Sequence, residues 1–331
     1  MSQALFRWLA LSIAIGLLAA CAGTPERGPA FSGAWLVDGA LQPEADTTAP
    51  KPNAAPPGLA VVLGGGGLRG YAHIGVLQAL DEAGLRPDLV VGTSIGAIVG
   101  AAYAAGASPD ELWRQASALQ VSALADVTLQ GPGFVKGEAL ARWAGQLVGQ
   151  QALERFPLRF AAVATDVDRG LPYVITQGDT GQALRASAAI PGVFLPVRSG
   201  GAIFVDGGVT SLVPVLAARA LGAELVIAVD IYCHGPQYPS NTVMSMWLRV
   251  SQVQSCLLSR QEAGSADVLI APAVAPAGIR DAEGRETARR RGYEAASAVL
   301  PAIRAAMQRQ GFPDERGNSI ASTAAKPSLH P

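Results

Sequence analysis

The most constraining feature of this chain is residues 88–100, where a short apolar run gives way to a stretch of small residues. The run Asp88–Gly92 predicts a buried strand, and the residues from Ser94 onward predict a helix. Gly92, Ser94 and Gly96 match G-x-S-x-G, the pattern of a serine on a tight strand-to-helix turn. Bulky neighbours would keep the helix from approaching the strand. The pattern therefore predicts a nucleophile elbow with Ser94 at its corner.

Strand and helix patterns alternate from Leu59 onward. The apolar runs Leu59–Leu63 and Glu224–Asp230 predict buried strands, and Gly70–Leu80 has apolar residues at helical spacing. This alternation is typical of parallel strands connected by crossover helices. We therefore predict an α/β domain with a mostly parallel central sheet over residues 59–310, followed by a disordered tail at residues 311–331.

Composition limits the partners of this domain. Of the 331 residues, 50% are hydrophobic and 15% are charged, which is enough for a large core. The net charge of −1 gives no indication of a nucleic-acid partner. Asp166 and Asp168 could suggest a cation site, but a turn between two strands explains them better. We therefore predict no metal and no cofactor.

The N-terminus has the layout of an exported lipoprotein. Residues 1–20 place one positive charge before an apolar run, as in a signal peptide. The stretch Leu18–Cys21 resembles a bacterial lipobox, in which the cysteine is lipidated; the alternative is an ordinary cleaved signal with a chance cysteine. Ala22 follows Cys21, and by resemblance to Gram-negative lipoproteins this favours anchoring in the outer membrane, facing the periplasm.

Residues 21–58 are rich in Pro, Ala, Gly and Thr. They predict a flexible linker between the lipid anchor and the domain, in which Phe31–Val37 could be a short docked piece.

Three cysteines do not make a disulfide framework. Cys233 and Cys256 could pair, but the favoured interpretation is two buried apolar thiols.

A glycine-rich segment, Gly65–Gly70, follows the first strand. It matches G-x-G-x-x-G, but a dinucleotide site requires an acidic residue near the end of the next strand, which here ends in Gly92-Thr93. A P-loop is excluded because no Gly-Lys-Ser/Thr follows. Consecutive glycines also allow backbone amides to point at one spot and so form an oxyanion hole beside Ser94. A tight turn without a chemical role is the alternative.

A serine nucleophile needs a base, and the chain has only three histidines. His73 falls in a helix and His330 lies in the tail. His234 follows a strand, but no clear loop with the acidic residue of a Ser…Asp…His order precedes it. No histidine triad is convincing, although His234 stays open.

Asp206 is the better base. It ends an apolar strand, and Gly207 and Gly208 follow it, so the backbone can bring its carboxylate close to Ser94. A free aspartate has a pKa near 4 and is a weak base at pH 7, so direct contact with the hydroxyl must compensate.

The segment Thr242–Leu258 predicts a helix with an apolar stripe. The favoured interpretation is that this stripe belongs to the core, and a membrane-facing role is the alternative. Its residues are Val243, Met246, Trp247, Val250, Val253 and Leu257.

Three motifs together, Gly65–Gly70, Gly92–Gly96 and Asp206–Gly208, resemble the signatures of bacterial patatin-like phospholipases. The stretches His73–Leu77 and Arg185–Gly192 resemble this family as well. The resemblance covers about residues 59 to 300. It implies a three-layer α/β/α patatin-like fold and hydrolysis of phospholipid or other acyl esters by a serine–aspartate dyad.

By the same resemblance, Ser94 is the nucleophile and Asp206 the base, while Gly66, Gly67 and Arg69 supply oxyanion donors through their backbone. The Arg69 side chain would bind a lipid phosphate or form a salt bridge that holds the loop. A lipid-anchored lipoprotein that binds or transfers acyl chains without catalysis is the alternative function.

Overall fold

The structure, a computed structural model, describes residues 30–43 and 58–312. Its strands are β1 (Phe31–Val37), β2 (Ala40–Pro43), β3 (Leu59–Leu63), β4 (Leu89–Thr93), β5 (Arg159–Asp166), β6 (Leu171–Gly178), β7 (Val197–Ser199), β8 (Ala202–Asp206), β9 (Leu225–Val229) and β10 (Val268–Ile270). Its helices are α1 (Tyr71–Glu82), α2 (Ile95–Ala104), α3 (Pro109–Ala118), α4 (Glu138–Leu147), α5 (Thr180–Ser187), α6 (Val215–Ala220), α7 (Val243–Gly264) and α8 (Ala282–Arg309).

One sheet contains all of these strands, in the order β10-β9-β3-β4-β5-β6-β1-β2, with β8 also pairing with β5 and β7 with β8. The central strands β10, β9, β3, β4 and β5 are parallel, and the antiparallel strands all lie on the β5 side. This arrangement confirms the predicted α/β fold. It also brings the ends of β3, β4 and β8 to the same region of the sheet.

Helices cover both faces of the sheet. Alternate residues of β3 point to opposite sides, with Val61 and Leu63 in one apolar cluster and Ala60 and Val62 in another. The first cluster includes side chains of α1, α2 and α8, and the second includes those of α6. These are the three layers that the resemblance implies.

The hairpin β1–β2 extends the sheet beyond β6, so the linker prediction is wrong for residues 31–43. Phe31 and Leu36 are buried, and the indole of Trp35 donates to the carboxylate of Asp166 at 2.9 Å. The docked piece predicted at Phe31–Val37 is confirmed. Residues 1–29, which include Cys21, residues 44–57 of the linker and the tail from residue 313 lie outside the described residues.

The two late cysteines form a disulfide that joins the segment after β9 to α7. The prediction of two free thiols is therefore wrong. Cys233 and Cys256 are 23 residues apart in the sequence, and only the packing of α7 against that segment brings their Cα atoms to 5.4 Å. In the described part of the chain, no helix combines the length and apolar character needed to span a bilayer.

Candidate active site

Ser94 stands at the predicted strand-to-helix corner, between β4 and α2. Its backbone has a φ of +56°, which L side chains rarely adopt, and its amide donates to the hydroxyl of Ser187 at 2.9 Å. A Cβ at Gly96 would lie 2.1 Å from the carbonyl oxygen of Leu63, and one at Gly92 would lie 2.5 Å from the backbone of α2. The close approach of helix and strand therefore requires glycine on both sides of Ser94.

Strand pairing places Asp206 beside this corner. Thr93 of β4 pairs with Val163 of β5, and the next residue of β5, Ala164, pairs with Asp206 of β8. Because β6 pairs with the other edge of β5, β4 and β8 lie end to end along one edge of that strand, and the residue after Thr93 meets the last residue of β8. The pairing of β4 and β8 with β5 thus brings the Ser94 motif and the Asp206 motif together, although they are far apart in the sequence.

The carboxyl group of Asp206 is buried and only partly satisfied. Its Oδ1 accepts a hydrogen bond from the amide of Gly208 at 2.7 Å. Its Oδ2 is buried and meets no donor at standard hydrogen-bond geometry among the described residues. Burial raises the pKa of Asp206 to about 6, against the opposing effects of the Ser94 hydroxyl and the Gly208 amide. Asp206 is thus a better base near neutral pH than a free aspartate.

Hydrogen bonds to Val229 and Leu212 hold the start of the glycine-rich loop after β3 in place. Gly64 and Gly65 donate to carbonyl oxygens at 3.0 and 2.9 Å. Among the described residues, no carbonyl accepts from the amides of Gly66 or Gly67, whereas the Arg69 amide donates to Gly66 at 3.3 Å. The oxyanion-hole prediction therefore rests on Gly66 and Gly67 rather than on Arg69. Gly70 and Gly207 are needed for packing, because an added Cβ atom would clash with Ile95 at the first position and with Val163 at the second.

The Arg69 side chain differs from both predicted roles. It is fully buried, and it donates to the carbonyl oxygens of Val274 and Pro236 at 3.2 and 2.9 Å. Its guanidinium lies over the rings of Tyr232 and Tyr238, 5.0 and 4.8 Å from their centroids. The side chain thus ties the glycine-rich loop to the segments that follow β9 and β10.

Neither described histidine is placed to act as the base. Burial lowers the pKa of His73 to about 4, so its ring is neutral at pH 7, and its Nε2 bonds the carbonyl oxygen of Gly64 at 2.8 Å. His234 is half-exposed and contacts Asp230. Neither ring lines the cavities at Ser94. His330 lies outside the described residues.

Two cavities meet at Ser94, and Gly67 and Ile190 line both of them. The larger has a volume of about 270 Å³ and is almost entirely apolar. Its walls include Ile98, Leu112, Leu140, Trp143 and Phe194. The smaller, of about 140 Å³, contains the polar groups. Its walls include Gly66, Asp206, Tyr232, Tyr238, Trp247 and Ser251.

Sequence reasoning missed several of these residues. Ser187, whose hydroxyl accepts from the Ser94 amide and donates to the Val163 carbonyl at 2.7 Å, lies in a stretch that only the family resemblance singled out. Tyr232, Tyr238 and Trp247 carry no motif, and they reach the site only through tertiary packing. In the part of the chain that the structure describes, no cluster of His, Cys, Asp or Glu could hold a metal ion.

Comparison with known proteins agrees with this geometry. The family model for patatin-like phospholipases matches residues 61–219, which include the glycine-rich loop, Ser94 and Asp206. Residues 61–219 form a patatin-like phospholipase domain. An uncharacterised NTE family protein of Mycobacterium tuberculosis is 38% identical over 178 residues, 53% of this chain and 49% of the relative. The lysophospholipase NTE1 of Debaryomyces hansenii is 31% identical over 197 residues, 57% of this chain and 13% of that protein.

The fold of this patatin-like protein also has a solved counterpart. VipD from Legionella pneumophila aligns with a TM-score of 0.52 at 14% identity, over 86% of this chain and 72% of that one. That likeness concerns the fold alone. The chain spans about half the length of the mycobacterial relatives and a small part of the lysophospholipases it matches.

Proposed function

We propose that this patatin-like protein is a serine hydrolase of lipid acyl esters, of the phospholipase A or lysophospholipase type. The observation that carries the proposal is the position of Ser94, next to a buried Asp206, at the junction of an apolar cavity and a polar one. The lysophospholipase relatives support the substrate class.

In the acylation step, the Ser94 oxygen attacks the ester carbonyl while Asp206 accepts the hydroxyl proton. The amides of Gly66 and Gly67 donate to the oxyanion, and one such donor commonly lowers the barrier by about 3 to 4 kcal/mol. The tetrahedral intermediate then expels the alcohol, which takes the proton from Asp206. An acyl-Ser94 ester and the free alcohol are the products of this step.

In the deacylation step, Asp206 accepts a proton from water as the water oxygen attacks the acyl-Ser94 carbonyl. Breakdown of the second intermediate returns the proton to the Ser94 oxygen and releases the fatty acid. The apolar cavity accommodates the acyl chain, and the smaller cavity accommodates the alcohol part, because each matches the polarity of that half of the substrate.

A fluorophosphonate probe tests the nucleophile directly and separates the enzyme from an acyl-chain binder. We expect one covalent adduct on the peptide that contains Ser94, because only a serine activated by a base reacts readily with such a probe. Peptide mass spectrometry after labelling locates the adduct. Asp206→Asn should label at least about tenfold more slowly. An unlabelled Ser94 in folded protein would favour the non-catalytic acyl-chain carrier.

We also propose that the protein is a lipoprotein anchored through Cys21 to the outer membrane, facing the periplasm. The lipobox-like sequence motivates this proposal. The Cys233–Cys256 disulfide supports an exported protein, because disulfides persist in oxidising compartments.

Cys21→Ser should abolish incorporation of a clickable fatty acid into the protein, since the thiol is the site of lipid attachment. In-gel fluorescence after labelling of the producing bacterium measures this. Cys256→Ser, which removes a cysteine that is paired in the disulfide, should keep the label. Equal labelling of Cys21→Ser and the unsubstituted protein would refute the lipidation site.

A further inference from the structure

Helix α7 turns its polar side toward the protein. The buried Gln252 accepts from the amide of Tyr238 at 3.1 Å and donates to the carbonyl of Tyr232 at 2.9 Å. The carboxylate of Glu262 accepts from the hydroxyl of Ser211 and the amide of Leu216, each at 3.0 Å. These bonds hold the helix in this orientation.

The outward side of α7 is mainly apolar and also carries the exposed Gln254 and Gln261, so the prediction that its stripe belongs to the core is wrong. Helices on the surface of a water-soluble domain normally show the opposite arrangement. We call this set the α7 face, and its members are between 38% and 90% exposed. They are Val243, Met246, Trp247, Val250, Val253, Leu257 and Leu258.

The charges of α7 complement an anionic surface. The helix has three charged residues, Arg249, Arg260 and Glu262, and the acid is directed inward to Ser211. At 100° per residue, both arginines fall on one border of the α7 face. An apolar stripe that carries tryptophan and is bordered by cations is typical of helices that lie in the plane of a membrane interface.

The α7 face is also continuous with the candidate active site. Trp247 lines the smaller cavity and lies over Gly192. The residue after Gly192 contacts a second exposed region: the amide of Phe134 donates to the carbonyl of Val193 at 2.9 Å, and both Phe134 and Leu129 are exposed. Exposed apolar side chains thus flank residues 190–195, which contribute to the walls of both cavities.

We propose that the α7 face, together with Leu129 and Phe134, docks this protein on a phospholipid bilayer that contains anionic lipid. This binding is separate from the N-terminal lipid anchor and goes beyond the proposed hydrolysis. The apolar side chains enter the boundary between head groups and acyl chains, and Arg249 and Arg260 stay at the level of the phosphates. Docking places the smaller cavity against the surface from which an ester lipid would enter.

The test uses a chain that begins at Ala22, which lacks the predicted signal and anchor. All strands, helices and apolar clusters described above lie after residue 30, so this chain retains them. Adding Ser94→Ala removes the proposed nucleophile, so that binding is measured independently of hydrolysis. Co-sedimentation with phosphatidylcholine vesicles that contain about 30% phosphatidylglycerol measures partition.

Val250→Glu combined with Leu257→Glu should weaken this partition at least about tenfold, because two apolar side chains are lost from the interface. Both positions are exposed and neither lines a cavity, so hydrolysis of a soluble short-chain ester by the Ser94-containing form should be unchanged. Ala302→Glu with Ala305→Glu adds the same charge to an exposed part of α8 and should change partition less than about twofold.

Equal partition of the α7 double variant and the α8 control would overturn the proposal. So would sedimentation equilibrium showing a dimer in lipid-free buffer that only the α7 double variant converts to a monomer. That result would assign the α7 face to a second copy of the chain. Vesicles of phosphatidylcholine alone should bind the unsubstituted chain more weakly than the anionic vesicles.

Discussion

Ser94→Ala is expected to lower kcat/KM for a short-chain p-nitrophenyl ester and for a lysophospholipid by at least about 10⁴-fold, because no other group can form the acyl intermediate. The substitution removes only the hydroxyl. The amide of residue 94 can still donate to Ser187, and alanine has a Cβ as serine does, so the positive φ should cost about the same in both. Initial rates with both esters, together with thermal unfolding, separate lost chemistry from lost folding.

Ser265→Ala is the matched control, since Ser265 is exposed and lines neither cavity. Its rates should stay within about twofold of the unsubstituted protein, as is usual for surface substitutions. Retained esterase activity in Ser94→Ala at an unchanged melting temperature would show that another group is the nucleophile.

Asp206→Asn is expected to lower kcat/KM by about 10²- to 10⁴-fold, the range usual for a general base. The asparagine oxygen can still accept from the Gly208 amide, so the turn after β8 should persist. What is lost is the capacity to take the Ser94 proton. Asp168→Asn, a change of the same kind in an exposed turn, should have no comparable effect.

The pH profile gives this prediction a sharper form. Only the ionised carboxylate of Asp206 can accept a proton, and burial raises its pKa to about 6. The value of kcat/KM should therefore be constant above about pH 7 and fall tenfold per pH unit well below pH 6. An inflection near pH 4 would contradict the raised pKa of Asp206, and an inflection near pH 6 that persists in Asp206→Asn would exclude Asp206 as the titrating base.

Local sequence patterns were sufficient to predict the structure wherever a segment determines its own conformation. The corner at Ser94 was predictable because Gly92 and Gly96 leave room for the helix to approach the strand. The strands β3, β4 and β9 were predictable because buried parallel strands are continuous apolar runs. Asp206 was predictable as the candidate base because it ends the apolar strand β8 and precedes two glycines.

Contacts between distant segments were not predictable in the same way. The spacing of Cys233 and Cys256 does not reveal whether they pair. The hairpin at residues 31–43 lies in a stretch whose average composition indicates a linker, although its few large apolar side chains dock on β6. The sequence left the Arg69 side chain available to a ligand or an acidic residue, but carbonyl groups of two backbone segments and two tyrosine rings surround it.

The sequence by itself determined the parallel α/β core, the corner at Ser94, the glycine-rich loop and the choice of Asp206 as the candidate base. Each of these depends on the sizes and conformations of neighbouring residues. The tertiary structure alone decided that β5 brings Ser94 and Asp206 to one level, that burial raises the pKa of Asp206, and that α7 faces outward. Periodicity shows that a helix has an apolar side, but hydrogen bonds with the rest of the fold decide which side it turns to the protein.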